Sequence, residues 1–195
     1  YRSLFKWGTP DAFKHPNRAL VRLMMSTFGM TEEDLTQPED RGLDQVKQEI
    51  PVTLASKHLA AMTAISGTEN IFTDAYTRIK CSYGKGTIDT LRLRKKIIEN
   101  LPDVVLTPRS TQDIQAVMTY CHEERIPLYV YGGGSTVTRG MEAVRAGVCL
   151  DMSRHMKRVL KFNEIDQTIT VEAGMWGPEL EHVLNNAPQL FQTHW

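Results

Sequence analysis

The chain has 195 residues, of which 41% are hydrophobic, enough to build one domain with an appended region. Its 23 basic residues balance 23 acidic ones, so no net field recruits nucleic acid or an anionic membrane surface. Function has to be sought in local sites. Cys81, Cys121 and Cys149 are odd in number and widely spaced, which fits neither a disulfide framework nor a zinc site. Two of them fall in apolar patterns and read as small core residues, and the set suggests a reducing compartment. No apolar run approaches the ~20 residues that cross a bilayer, and no secretory signal is visible. The chain opens at Tyr1 and closes at Trp195, and it reads as an excerpt of something longer.

The first half is helical and interrupted. After Pro16, the stretch from Asn17 to Phe28 places Leu20, Leu23, Met24 and Phe28 at helical spacing. Residues 31–42, with Pro38, read as a connecting segment. A second helix is predicted from Ser56 to Ile65. A mixed segment over residues 76–86 leads into the basic run Arg92-Leu-Arg-Leu-Arg-Lys-Lys. That run lacks interleaved aromatics, so a solvated or phosphate-adjacent face is expected rather than a nucleic-acid patch.

From Leu101 the texture becomes alternating strand and helix. Asp103-Val-Val-Leu-Thr-Pro reads as a short apolar strand, and Ser110 with Asp113 as a capping box. The helix that follows puts Ile114, Val117, Met118 and Cys121 on one face. After Pro127, Leu128-Tyr-Val-Tyr131 reads as a second buried strand, parallel to the first. Val148-Cys-Leu-Asp-Met152 is a third strand. Residues 158–162 and 168–173 form a hairpin around the polar turn 163–167. Gly177-Pro178 opens a last helix with Leu180, Val183 and Leu184 inward. The fold class is α+β.

The most informative stretch is Tyr131-Gly132-Gly133-Gly134-Ser135-Thr136-Val137. A plain turn needs one or two glycines, and a third weakens the fold entropically. A glycine loop instead lets backbone amides approach an anion as a nest for phosphate oxygens, with Ser135 and Thr136 adding hydroxyls. The Rossmann fingerprint fails, because Val137 stands where a third glycine is needed. The nucleotide P-loop also fails, because no lysine followed by serine or threonine comes after the last glycine.

Four ordered blocks carry a resemblance. They are Leu101-Pro-Asp-Val-Val-Leu-Thr-Pro-Arg-Ser-Thr-Gln-Asp-Ile, the Gly-Gly-Gly-Ser-Thr loop after Pro127, Leu150-Asp-Met-Ser-Arg-His-Met-Lys-Arg-Val-Leu, and Val171-Glu-Ala-Gly. Together they look like the vanillyl-alcohol-oxidase (PCMH-type) FAD-binding domain. Phe5-Lys-Trp-Gly8, Tyr83-Gly84 and Leu91-Arg-Leu-Arg94 are similar to the alkyldihydroxyacetonephosphate synthases and their bacterial relatives. The resemblance implies a mainly helical region over residues 1–100 and the first subdomain of the FAD-binding fold over 101–195, with the remainder of the enzyme beyond 195.

It further implies that Val130, Tyr131, Gly132, Gly133, Gly134, Ser135 and Thr136 hold the FAD pyrophosphate. Binding would be non-covalent, because Ser135 and Thr136 stand where many relatives carry a flavin-linking histidine. The implied activity is exchange of the acyl chain of acyl-dihydroxyacetone phosphate for a fatty alcohol, with flavin N5 holding the substrate carbon while the acid leaves. An FAD-linked oxidoreductase acting on a hydroxy acid or alcohol is the alternative, and a ligand-binding remnant a third. The partner is then a small lipid or hydroxy-acid substrate, with membrane-surface association and a homodimer left open. The compartment would be cytoplasmic for a bacterial member and peroxisomal for a eukaryotic synthase. No metal is expected and no catalytic residue is assigned, since the family's catalytic groups and second pyrophosphate stretch lie past Trp195. His122 is expected to be solvated and His155 to lack a partner. Glu179, Glu181 and His182 are expected on a surface face, and Arg92 and Arg94 in structural ion pairs.

Overall fold

The computed structural model describes residues 4–6, 8, 15–36 and 50–186. Trp7 and the segments 37–49 and 187–195 lie outside the described residues, and with them part of the Phe5–Gly8 motif, the second half of the 31–42 connection and His194-Trp195. α1 (Arg18–Phe28) starts at Asn17, whose side chain accepts from the Leu20 amide at 2.9 Å, and α2 is Glu32–Thr36. The α1 periodicity holds, but its apolar side finds no cover among the described residues: Leu20, Leu23 and Phe28 are exposed, Phe28 at 74%. α3 (Ser56–Ser66) follows, then a 3₁₀ turn, Thr68–Asn70, and β1 (Ile71–Phe72).

The segment that looked mixed begins in a helix and continues as a turn over residues 81–86. α4 (Ala75–Lys80) is capped by Asp74, which accepts from the Thr77 amide at 2.8 Å. α5 (Thr87–Arg94) contains the start of the basic run. β2 (Val104–Leu106), α6 (Thr111–Glu123), β3 (Leu128–Tyr131) and β4 (Val148–Asp151) come next, then the hairpin β5 (Val159–Asn163) and β6 (Thr168–Val171), then α7 (Gly177–Asn185).

One sheet has the order β1-β2-β4-β3, with β1 antiparallel and the others parallel; β5 and β6 form a separate antiparallel pair. β2 and β3 do run parallel, but they are not neighbours. β4 inserts between them, with Val148 opposite both Val104 and Leu128. That leaves β3 at the sheet edge and only half-buried, with Val130 59% exposed, so the expected second buried strand is an edge strand. The strands buried along their whole length are β2 and β4, as parallel strands covered on both faces require.

Strand alternation sorts those residues. Val104, Leu106, Val148 and Leu150 face α3 and α6 in a core with Met62, Val117 and Cys121. Val105, Cys149 and Tyr131 face the other way, with Cys81 and Met141. Met118 on α6 is exposed and does not join its predicted partners, and Leu184 on α7 is at the surface. The capping box is half formed: Ser110 Oγ accepts from the Asp113 amide at 3.2 Å, but the Asp113 carboxylate turns to the Arg109 amide and guanidinium instead of the Ser110 amide. Arg109 offers a charge-assisted bond that a backbone donor alone does not match. None of the described helices is long and apolar enough to cross a membrane.

Candidate functional site

The glycine loop leaves the end of β3 at the sheet edge. Tyr131 turns inward and is buried, and its hydroxyl lies where a side chain on Gly134 would begin, 2.6 Å from that position. Gly134 also holds φ +61°, a left-handed conformation that favours glycine. The fold therefore explains this glycine. It does not explain the other two. A Cβ on Gly132 would come no closer than 3.8 Å, to the Ala173 carbonyl oxygen, and one on Gly133 would meet no protein atom within 4 Å; neither has positive φ. Two adjacent glycines with open space in front of them fit a cradle in which a ligand takes the room a side chain would fill.

A second turn, which the sequence reading left without a role, holds the far end of the loop. Lys85 N donates to the Thr136 carbonyl at 2.7 Å, and a Cβ on Gly84 would stand 2.2 Å from that oxygen. Residues 84–86 thus lie directly against Thr136 and Val137. Thr136 is committed to this contact through its carbonyl, while Ser135 and Val130 are exposed.

Beside the loop is a cavity of about 340 Å³, bordered by Lys80, Lys85, Tyr131, Gly134, Ser153 and Trp176 among others. Lys80 Nζ donates to Asp151 Oδ2 at 3.0 Å and stands 5.0 Å from the centre of the Tyr131 ring. Asp151, the last residue of β4, accepts from Ser153 N at 2.9 Å and Ser153 Oγ at 2.6 Å through its other oxygen. Lys80, Asp151 and Ser153 were missed as site residues. The Asp-x-Ser spacing, in which an aspartate folds onto the chain two residues ahead, was the available signal.

The segment after the loop is anchored by a buried carboxylate. Glu142, its side chain 4% exposed, accepts from Arg92 Nη2 at 3.0 Å and Asn100 Nδ2 at 2.7 Å, and from Arg139 Nε. Its bond from Arg139, with those from Arg92 and Asn100, outweighs burial and holds its carboxyl at about 2. Arg92 is therefore neither solvated nor phosphate-adjacent; it is an ion-pair partner of Glu99 and Glu142, and Arg94 donates to the Phe5 carbonyl. Removing Glu142 takes away the buried acceptor shared by Arg92, Arg139 and Asn100. Glu142→Ala is expected to cost roughly 3 kcal/mol at neutral pH, as breaking a buried pair does. Because the folded pKa is depressed, the stabilisation is present above the unfolded value near 4.5 and fades as pH falls from there toward 2. Denaturant titrations of both proteins at pH 7 and pH 3 should show the gap narrowing in acid; an equal gap at both would sink this account.

The remaining candidates resolve as scaffold. His122 is exposed, as expected. His155 does have a partner: its Nε2 lies 2.9 Å from Asn70 Oδ1, and neighbouring Arg154 donates to the Glu69 carbonyl, so the loop after β4 is tied to the 3₁₀ turn. Glu179 accepts from Lys157 Nζ at 2.6 Å and from the Trp176 amide at 3.0 Å, capping α7. No three His, Cys, Asp or Glu among the described residues are placed to hold a metal ion. All three cysteines are buried and free. Contact with Cys149 and burial raise the Cys81 thiol well above its ordinary value, and burial pushes Cys121 up to about 11, so neither is a ready nucleophile.

Comparison with known proteins matches residues 102–195 to the FAD binding domain family. Alkyldihydroxyacetonephosphate synthase of Dictyostelium discoideum is 25% identical over 92% of this chain and 33% of its own length. The cytochrome-linked mitochondrial D-lactate dehydrogenase of Arabidopsis thaliana is 38% identical, over 44% of this chain and 15% of its own. Among solved structures, an alkyldihydroxyacetonephosphate synthase superposes with a TM-score of 0.69 at 26% identity, covering 74% of this chain and 30% of that one. The 4-ethylphenol oxidase of Gulosibacter chungangensis shares the fold, with a TM-score of 0.51 at 23% identity over 71% of this chain and 27% of its own. The chain thus spans about a third or less of the length of these proteins. With its glycine loop at the end of an edge strand, the chain carries an FAD binding domain over residues 102–195 and is similar to the alkyldihydroxyacetonephosphate synthases.

Proposed function

We propose that residues 130–136 form the first phosphate-gripping stretch of the FAD site in an alkyldihydroxyacetonephosphate synthase-like enzyme, which exchanges the acyl chain of acyl-dihydroxyacetone phosphate for a fatty alcohol. The observation that carries the cofactor site is the pair Gly132 and Gly133, glycines that neither backbone angle nor packing requires. When bound, FAD supplies the reactive ring; this chain's part is to hold the diphosphate by backbone amides and to fix the loop through Lys85 N and the Glu142 ion pairs. Binding is non-covalent, since the loop offers serine and threonine where a covalent link needs a histidine. The similarity to the synthases supports the transferase reading because it runs through the helical first half as well, over 92% of the chain. The dehydrogenase similarity is higher in identity but confined to 44% of the chain. It supports the second reading, an FAD-linked oxidoreductase that oxidises a hydroxy acid by hydride transfer.

The full-length protein, purified and mixed anaerobically with palmitoyl-dihydroxyacetone phosphate or with D-lactate, separates the two. The synthase is expected to lose its oxidised flavin band with the acyl substrate and to release fatty acid without hydrogen peroxide. Bleaching by D-lactate with reoxidation in air would move the protein to the oxidoreductases. A colourless protein that takes up no added FAD would remove the cofactor site itself.

A further inference from the structure

The loop supplies amides and hydroxyls but no cation, whereas a diphosphate carries formal negative charge. Among the described residues, the cavity beside it is lined by two lysines and by no carboxylate, so its local field suits an anion. Lys80 ends α4 with its side chain 31% exposed, and among the described residues its one hydrogen-bond partner is Asp151. An ammonium has three donors, so two remain for other acceptors. Asp151 is 5% exposed and fixed on its other oxygen by Ser153, which makes it a rigid counter-anion that aims the lysine. Lys80 Nζ stands over the ring of Tyr131, whose hydroxyl abuts Gly134. The ammonium is thereby set beside the glycine loop.

We propose that Lys80 is a phosphate-binding cation of this cleft, donating to a phosphate oxyanion of the dinucleotide carried on the glycine loop. The inference rests on the reading of the cleft as the FAD site, and it assigns a cofactor contact to a helix that lies before the matched FAD binding domain. The rival explanation is that Lys80 serves only to neutralise buried Asp151. Charge-assisted bonds to phosphate are roughly twice as strong as neutral ones, so the two accounts differ measurably.

The experiment uses the full-length protein stripped of flavin and titrated with FAD by fluorescence, with riboflavin as a ligand lacking phosphate and with ADP and glycerol 3-phosphate as competitors. Lys80→Gln is expected to raise the FAD Kd about tenfold, to leave riboflavin binding unchanged and to flatten the salt dependence. Lys80→Arg should retain part of the affinity. The double variant Lys80→Gln with Asp151→Asn removes the stranded carboxylate, and it should lose as much affinity as Lys80→Gln alone. Wild-type FAD affinity in Lys80→Gln, or its recovery in the double variant, would overturn the proposal. If Lys80→Gln weakens competition by glycerol 3-phosphate but not by ADP, the oxyanion belongs to a substrate and the cofactor assignment is overturned. Gly133→Val reports separately on the loop. Normal FAD binding in that variant, beside a loss in Lys80→Gln, would defeat the loop reading and leave Lys80 standing.

Discussion

Replacing Gly133 with valine is expected to leave the apoprotein folded while weakening FAD binding by about a hundredfold, or roughly 2.7 kcal/mol. The fold should tolerate the change because the backbone at Gly133 is not in the left-handed region and a Cβ there meets nothing within 4 Å. Surface substitutions of that kind usually stay within about 0.5 kcal/mol. Binding should suffer because the valine methyls occupy the space through which an anion approaches the loop's backbone, and each charge-assisted bond lost removes about 1.5–3 kcal/mol. The two halves of the expectation are read by different measurements, thermal unfolding without flavin and FAD titration. A variant that keeps full FAD affinity would end the case for the cradle. One that unfolds without flavin would show that Gly133 is a structural glycine after all.

The same contrast shows what the sequence made legible. The elements of the second half followed from local signals: strand alternation in residues 168–171, proline at the start of α7, and a serine cap before α6. The glycine loop was legible because three adjacent glycines are costly without a reason. What stayed hidden depended on contacts between distant residues. Nothing in Leu128-Tyr-Val-Tyr131 tells that β4 will take the place between it and β2, and so the exposure of Val130 could not be read. Arg92 was expected in a structural ion pair and is in one, but its partner could not be named, because Glu142, 50 residues away, supplies the counter-charge only in the fold. The same holds for His155, whose Asn70 partner is 85 residues distant, and for Lys80, which meets Asp151 across 71 residues. Local pattern fixes element type, while the polar wiring of the site is a product of topology.

Gly174, the last residue of the Val171-Glu-Ala-Gly block, carries the largest expected loss of stability. A Cβ at this position would stand 1.8 Å from the Met152 carbonyl oxygen and 2.8 Å from that of Met156. Both are backbone atoms, so no side-chain rotation can make room. The close approach is enforced from both sides: Gly174 N donates to the Met156 carbonyl at 2.8 Å, and Glu172 N to that of Arg158 at 2.9 Å. Buried Glu172 adds bonds from the Arg158 amide and guanidinium, locking the end of the hairpin onto the loop after β4. Gly174→Ala must therefore break this junction or push the Asp151–Ser153 turn away from the cavity. A cost of at least about 4 kcal/mol is expected, in the range reserved for severe steric or buried-polar lesions and a large share of the ~5–15 kcal/mol that holds a domain together. In the full-length protein the variant should lose most soluble yield, whereas Gly132→Ala, whose Cβ makes only an ordinary 3.8 Å contact, should express and melt like the parent. If Gly174→Ala melts with the parent instead, the close junction between hairpin and loop is wrong, and with it the placement of Ser153 at the cavity wall.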